Sequence, residues 1–294
     1  MKKALFSIMI LIVLLNMTGC GKTSKVYPLE PDEDQIDIAV SDMLGGQLRL
    51  EEAAQRLIVF SPAACEIIAD LGEAERIQAR GELCNNPKEL EKVPLLTPRD
   101  LSKPETLDIL DSDLIIMDAS IVPLEDVDRL YKAGMAVLLL ESKNIEDIYR
   151  STEIIGKALG KNLAAKELIR YMSTQWESLL KASKGQKNVR IYIQDNQIPA
   201  SSLGRNTLIG SFLEELGYEN ISKIGQDRAY TPREVELLNP DFILVLGDPS
   251  LSFGEEFSGV RAVKEKNLIY WGDSPRLAGS QFVEVLKDLM TLLR

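Results

Sequence analysis

The chain has 294 residues, 45% hydrophobic and 27% charged, enough apolar mass for one large or two medium globular bodies. A formal net charge of −11 argues against a nucleic-acid backbone as partner. There is no histidine, which closes off histidine-built metal sites and any acid–base step run by an imidazole.

At the N-terminus, Lys2 and Lys3 precede an apolar run at 4–15. The run falls short of the roughly 20 residues a spanning helix needs and has the length of a signal-peptide core. It ends in MTGC, small residues immediately before Cys20. This resembles a bacterial lipoprotein signal, which implies removal of residues 1–19 and lipidation of Cys20. Residues 20–35 are polar, with two prolines and an acidic cluster, and read as a flexible tether. The expected location is therefore the extracytoplasmic face of the cell membrane, anchored by lipid.

A first α/β lobe is expected over 36–143. RLIVF at 56–60 reads as a strand, followed by Ser61 as helix N-cap and Pro62 at the first helical position. Ile67, Ile68 and Leu71 keep helical spacing up to Gly72. Cys65 lies on the apolar face of that helix as a small buried hydrophobe, with a Cys65–Cys84 disulfide left as the alternative. RIQAR, the loop GELCNNP, a short helix from Pro104 and the apolar strand DLIIMD follow. Residues 144–183 change rhythm, with no proline and almost no β-branched runs. Their pattern predicts helices, the last over 162–183 and about 33 Å long, stiff enough to join two bodies.

A second α/β lobe is expected over 184–294, with a strand at 189–194, a helix at 206–217, a strand ending at Trp271 and a terminal helix from Leu277 to Leu292. It contains a repeat. PETLDILDSDLII at 104–116 returns as PREVELLNPDFIL at 232–244, with every apolar position kept apolar. The fold expected is two Rossmann-like α/β lobes joined by a single long backbone helix.

In this order, RLIVFSPAACEIIADLG, LCNNP, PETLDILDSDLII, LGRNTLIGSFLEELGYENI, REVELLNPDFILVLG, RAVKEKNLIYW and SPRLAG resemble the substrate-binding components of ABC importers for iron-siderophores, haem and cobalamin. The resemblance covers about 54–292. It implies the helical-backbone, class III arrangement of periplasmic binding proteins, in which a ligand sits between two lobes. It also implies an acidic docking group for the permease in each lobe. Glu105 stands at that position in the first, whereas Arg233 stands at the matching position in the second, so either Glu234 beside it substitutes or docking is asymmetric.

Ligands of doubly wound sheets bind beyond the carboxyl ends of the strands. The loops there supply Ser61, Pro62, Cys84, Asn85, Asn86 and Ser120 from the first lobe. Leu203, Arg205, Asn206, Asp248, Trp271 and Arg276 come from the second. Arg205 and Arg276 are suited to carboxylates or phosphates, and Trp271 to stacking on a planar ring. No nucleophile elbow, P-loop or dinucleotide fingerprint occurs. The expectation is a binding protein and not an enzyme, without cofactor or metal, acting as a monomer. Its partners are a small-molecule chelate, a permease and an ATPase, with no nucleic acid. The alternative is a degenerate lobe pair serving as a surface sensor or adaptor for a protein.

Overall fold

The computed structural model describes residues 38–184, 189–196, 200–223, 228–247, 253–272 and 277–293. The signal segment, the tether with Cys20, and the candidate ligand residues Asp248 and Arg276 lie outside the described residues.

A hairpin of β1 (Ile38–Ser41) and β2 (Gln47–Leu50) comes first. The first lobe then runs β3 (Leu57–Phe60), α1 (Pro62–Asp70), β4 (Ile77–Gly81), β5 (Leu95–Leu96), α2 (Pro98–Leu101), α3 (Pro104–Asp108), β6 (Leu114–Asp118), α4 (Leu124–Lys132) and β7 (Val137–Leu140). Its five strands form a parallel sheet in the order β5-β4-β3-β6-β7. Two helices follow, α5 (Ile145–Ala158) and α6 (Asn162–Ser183). The second lobe runs β8 (Arg190–Asp195), β9 (Ser201–Ser202), α7 (Leu208–Glu215), β10 (Glu219–Asn220), α8 (Pro232–Leu238), β11 (Phe242–Leu246), α9 (Arg261–Lys264), β12 (Leu268–Trp271) and α10 (Phe282–Leu292). Its parallel order is β10-β8-β11-β12, with β9 antiparallel on β8. The architecture is thus the expected one, two α/β lobes joined by a long helix.

Period-two alternation divides each sheet into two buried faces. Leu57, Val59, Leu114, Ile116, Leu138 and Leu140 pack with α1, α5 and α6. Ile58, Phe60, Ile115, Met117, Val137 and Leu139 pack with α2, α3 and α4. In the second lobe Ile191, Ile193, Leu244 and Leu246 meet α5, α6, α7 and α10. Tyr192, Ile243 and Val245 meet α8 and α9. The joining helices therefore cover one face of both sheets, and α3 and α8 cover the opposite face of both.

The joining element is more than the single predicted rod. Ala165 of α6 lies in the first lobe's core, while Met172, Trp176 and Leu179 lie in the second's. Helix α5 spans the same gap in the other direction: Ile145 and Ile148 belong to the second core, Ile155 and Ala158 to the first. The two helices touch closely because Gly156 has no side chain. A Cβ there would overlap the Cβ of Ala165.

The sequence repeat has a structural cause. In each copy a proline occupies the first turn of the short helix, and a left-handed residue follows it: Asp111 and Asn239, both at φ 48°. An aspartate then ties the incoming strand to its neighbour. Asp113 carboxylate oxygens accept from the backbone N–H groups of Gln55 and Arg56, both at 2.9 Å. Asp241 Oδ2 accepts from Arg190 N at 2.7 Å, and its other oxygen pairs with Arg261. Charge-assisted bonds of this kind fix which strands lie side by side.

Candidate functional site

The carboxyl ends of β3, β4, β5 and β6 frame a cavity of about 210 Å3 in the first lobe. Its walls include Phe60 at the end of β3, Leu83 after β4, Leu96 at the end of β5, Leu101 of α2, and Ile121 and Val122 after β6. Glu82 is the one charged residue of its lining. Leu83 is 49% exposed and Ile121 is 42% exposed, so the mouth offers hydrocarbon to an incoming molecule.

The polar residues expected to meet a ligand in this lobe are mostly spent on the loops themselves. Ser61 is fully buried, and its Oγ caps α1 by accepting from Ala64 N at 3.2 Å. Pro62 is buried at the first turn. Cys84 is buried and its Sγ donates to Val59 O at 3.5 Å. Asn86 Nδ2 donates to Glu66 Oε1 at 2.6 Å. Asn85 Oδ1 accepts from Arg80 Nη1 at 2.9 Å, while Arg80 Nε donates to Leu90 O at 2.7 Å. These bonds hold the LCNN turn in shape and push Leu83 outward. Cys65 and Cys84 are both free thiols. Burial, and the Cys84 thiol beside it, push the Cys65 thiol well up from its ordinary range. Ser120 is exposed, and both its N–H and its hydroxyl donate to Asp118 Oδ1.

Asp118 itself closes β6 in a nearly buried position, and desolvation raises its carboxyl above the ordinary 3.8. The folded state thus holds that proton more tightly than the unfolded chain. Its contribution to stability is complete below the unfolded value and is lost as pH rises through the folded one. Asp118→Asn keeps an oxygen for Ser120 and removes the titration. Urea unfolding is expected to show the variant gaining on the parent as pH climbs from about 4 toward neutrality. A difference that stays flat with pH would refute the assignment.

In the second lobe Arg205 and Asn206 are exposed in the turn before α7, and Arg205 has no partner among the described residues. Leu203 is half-buried and lends its carbonyl to Asn220 Nδ2 at 2.9 Å. Trp271 departs from expectation: it is 5% exposed within the core, where its ring contributes to packing and does not present a face for stacking. A buried ladder along β8 joins Tyr192, Gln194 and Asn196. Tyr192 OH donates to Gln194 Oε1 at 3.1 Å and accepts from Tyr230 N at 2.9 Å; Gln194 Nε2 donates to Asn196 Oδ1 at 2.7 Å.

The two expected docking acids differ. Glu105 is exposed on α3 and has no partner among the described residues. Glu234 is committed twice: it forms a capping box with Thr231 and a two-bond pair with Arg228 at 2.7 and 2.9 Å. Arg228 and the cap together hold its carboxyl down to about 2. Arg233 pairs with Glu236 at 2.8 Å.

A second cavity, about 360 Å3, lies where α1, α6 and the start of α10 meet, lined among others by Asp70, Tyr171, Met172 and Glu284. Ser280 Oγ donates to Asp70 Oδ2 at 2.7 Å across it, a direct bond between the lobes. Among the described residues no group of three or more cysteines and carboxylates is arranged to hold a metal ion, and no helix is long and apolar enough to cross a membrane.

Of the first cavity's walls, Leu83 lies in the loop at 83–86 that the sequence marks as a ligand loop, whereas Phe60, Leu96 and Ile121 were missed. Their signal was apolar residues placed in or beside turns, where polar ones are the rule.

Residues 57–275 match the profile of the family described as periplasmic binding protein. A curated relative, the uncharacterized ABC transporter substrate-binding lipoprotein YvrC of Bacillus subtilis, is 19% identical over 292 residues, 96% of this chain and 89% of that protein. Among solved structures, a possible iron-binding (periplasmic solute-binding) protein of Staphylococcus epidermidis superposes with a TM-score of 0.70 at 21% identity, over 82% of this chain and 99% of that one. The periplasmic vitamin B12 binding protein BtuF of Vibrio cholerae gives 0.68 at 16% identity, over 82% and 96%. These superpositions are a likeness of fold.

Proposed function

This chain belongs to the periplasmic binding protein family, and from that membership we propose that it is a lipid-anchored, extracytoplasmic solute-binding protein. It takes a corrinoid, a ferric siderophore or a similar chelate between its lobes and passes it to an ABC permease driven by its ATPase. The observation that carries the reading is the apolar cavity at the carboxyl ends of β3 to β6, the position from which sheets of this class hold ligands. The apolar flank of the chelate rests on Leu83, Leu96 and Ile121. Arg205 answers a carboxylate or phosphate from the second lobe. Relatives described as an ABC transporter lipoprotein, an iron-binding protein and a vitamin B12 binding protein support the ligand class and the membrane setting.

Residues 37–294 form one compact unit, so the body can be tested without its leader. Thermal-shift screening of 36–294 against corrinoids, haem and ferric siderophores is expected to give a clear upward shift with one class. Ile121→Asp places a charge on the cavity wall and is expected to weaken that ligand at least about tenfold while leaving the unliganded melting point nearly unchanged. An unaltered affinity would remove the cavity from the site. One observation favours a second reading, a surface adaptor for a protein: Arg233 stands where a docking acid is expected. No shift with any chelate would favour that reading.

A further inference from the structure

We propose that Ile109 and Leu237 are a matched pair of apolar contacts, one per lobe, through which the protein seats on its permease in a single orientation; this rests on the delivery role proposed above. The two residues occupy the same position of the repeated unit, at the ends of α3 and α8. Every apolar position of the unit is kept apolar in both copies, and most are buried: Leu107 and Val235 are both 0% exposed, Ile115 and Ile243 nearly so. This position alone faces water in both copies, with Ile109 82% exposed and Leu237 68% exposed. A lone surface leucine is ordinary and calls for no explanation. Two at one position of a duplicated element are a different matter, since nothing in either core requires them.

Their placement suits a common partner. Helices α3 and α8 cover the sheet faces opposite the joining helices, so the two residues hold corresponding places in the two lobes. Each stands one helical turn after a charged residue, Glu105 before Ile109 and Arg233 before Leu237, and i,i+4 residues share a face. The charges do not match between lobes. Glu105 is unpaired among the described residues, whereas Arg233 and Glu234 are neutralised by Glu236 and Arg228. The complementary surface therefore has two apolar sockets with a cation beside the first only. A permease whose two halves are alike in shape meets that description. An anionic lipid surface does not, because the first site would bring a free carboxylate against it.

The test reconstitutes the full-length protein in nanodiscs with the ABC permease–ATPase complexes of its own genome, one at a time, with docking affinity and ATPase stimulation as readouts. Ile109→Ser and Leu237→Ser are each expected to weaken docking about tenfold, and the double variant further, without lowering the melting point. Glu105→Arg combined with Arg233→Glu keeps net charge constant and is expected to weaken docking about as much. Serine variants that dock like the parent, while Glu105→Ala docks weakly, overturn the apolar pair and leave the delivery role standing. A parent protein that neither docks nor stimulates ATPase overturns both. Binding to protein-free vesicles of the same lipids, lost in the serine variants, assigns the pair to the membrane and overturns the proposal.

Discussion

Phe212→Ala is expected to cost about 3 to 5 kcal/mol of stability, a large share of the 5 to 15 that a protein of this kind possesses. Phe212 is fully buried on α7, with its ring centroid 5.1 Å from Phe282 of α10 and nearly parallel to it, and 5.2 Å from Trp176 of α6. Trp176 also lies 5.9 Å from Phe282, so three rings from three helices close a triangle. Trp176 belongs to the joining helix and the other two to the second lobe, so the cluster helps fasten that lobe to the joint alongside Ile145, Ile148, Met172 and Leu179. Removing the middle ring leaves a cavity between rigid helices that cannot close over it, which is the costly version of a large-to-small change. Urea denaturation should show a lowered midpoint with an unchanged slope. A loss below about 1 kcal/mol would mean that the triangle is not structural.

Gly156→Val is expected to cost about 3 kcal/mol and to weaken ligand binding as well. Even one methyl at this position overlaps Ala165, and Lys161 O stands 3.3 Å from where the Cβ would sit. Ala165 is 1% exposed and has nowhere to retreat, so α5 and α6 must separate. Both helices are anchored in both cores, and their separation therefore alters how the two halves of the cleft face each other. The milder Gly156→Ala supplies the control. Paired with Ala165→Gly it is expected to recover most of the stability that it loses alone, as contacting positions do in a double-mutant cycle. Failure of that rescue would place the strain elsewhere.

The sequence was most informative where burial imposed a period. Helix α6 occupies 162–183 as its spacing required, and the repeat was readable because a strand covered on both faces must be apolar throughout. The β1–β2 hairpin went unread, although Ile38, Val40 and Leu50 alternate inward around a Gly45–Gly46 turn. Strands β5, β9 and β10 have two residues each and are too short to carry any period. The terminal helix starts at Phe282, later than its apolar residues suggested, because Leu277 is buried ahead of it in a tight turn. For the site, the loops were legible and their side chains were not. Whether Asn86 turns to a ligand or to Glu66 depends on a partner 20 positions away, which local pattern does not reveal. The same holds for Trp271, whose place at a strand end gave no sign that its ring turns into the core.

The antiparallel pair α5 and α6 contributes to one of the two hydrophobic centres in each half. Those two centres, one per half, are completed by residues from the same two rods, so melting one half strips a wall from the other, and heating should show one transition where two independent bodies would give two. A force applied at one end also reaches the other as tilt and torsion, with little slack between them. A motor that grips both ends could then pry the guest loose by a modest twist, without unfolding anything.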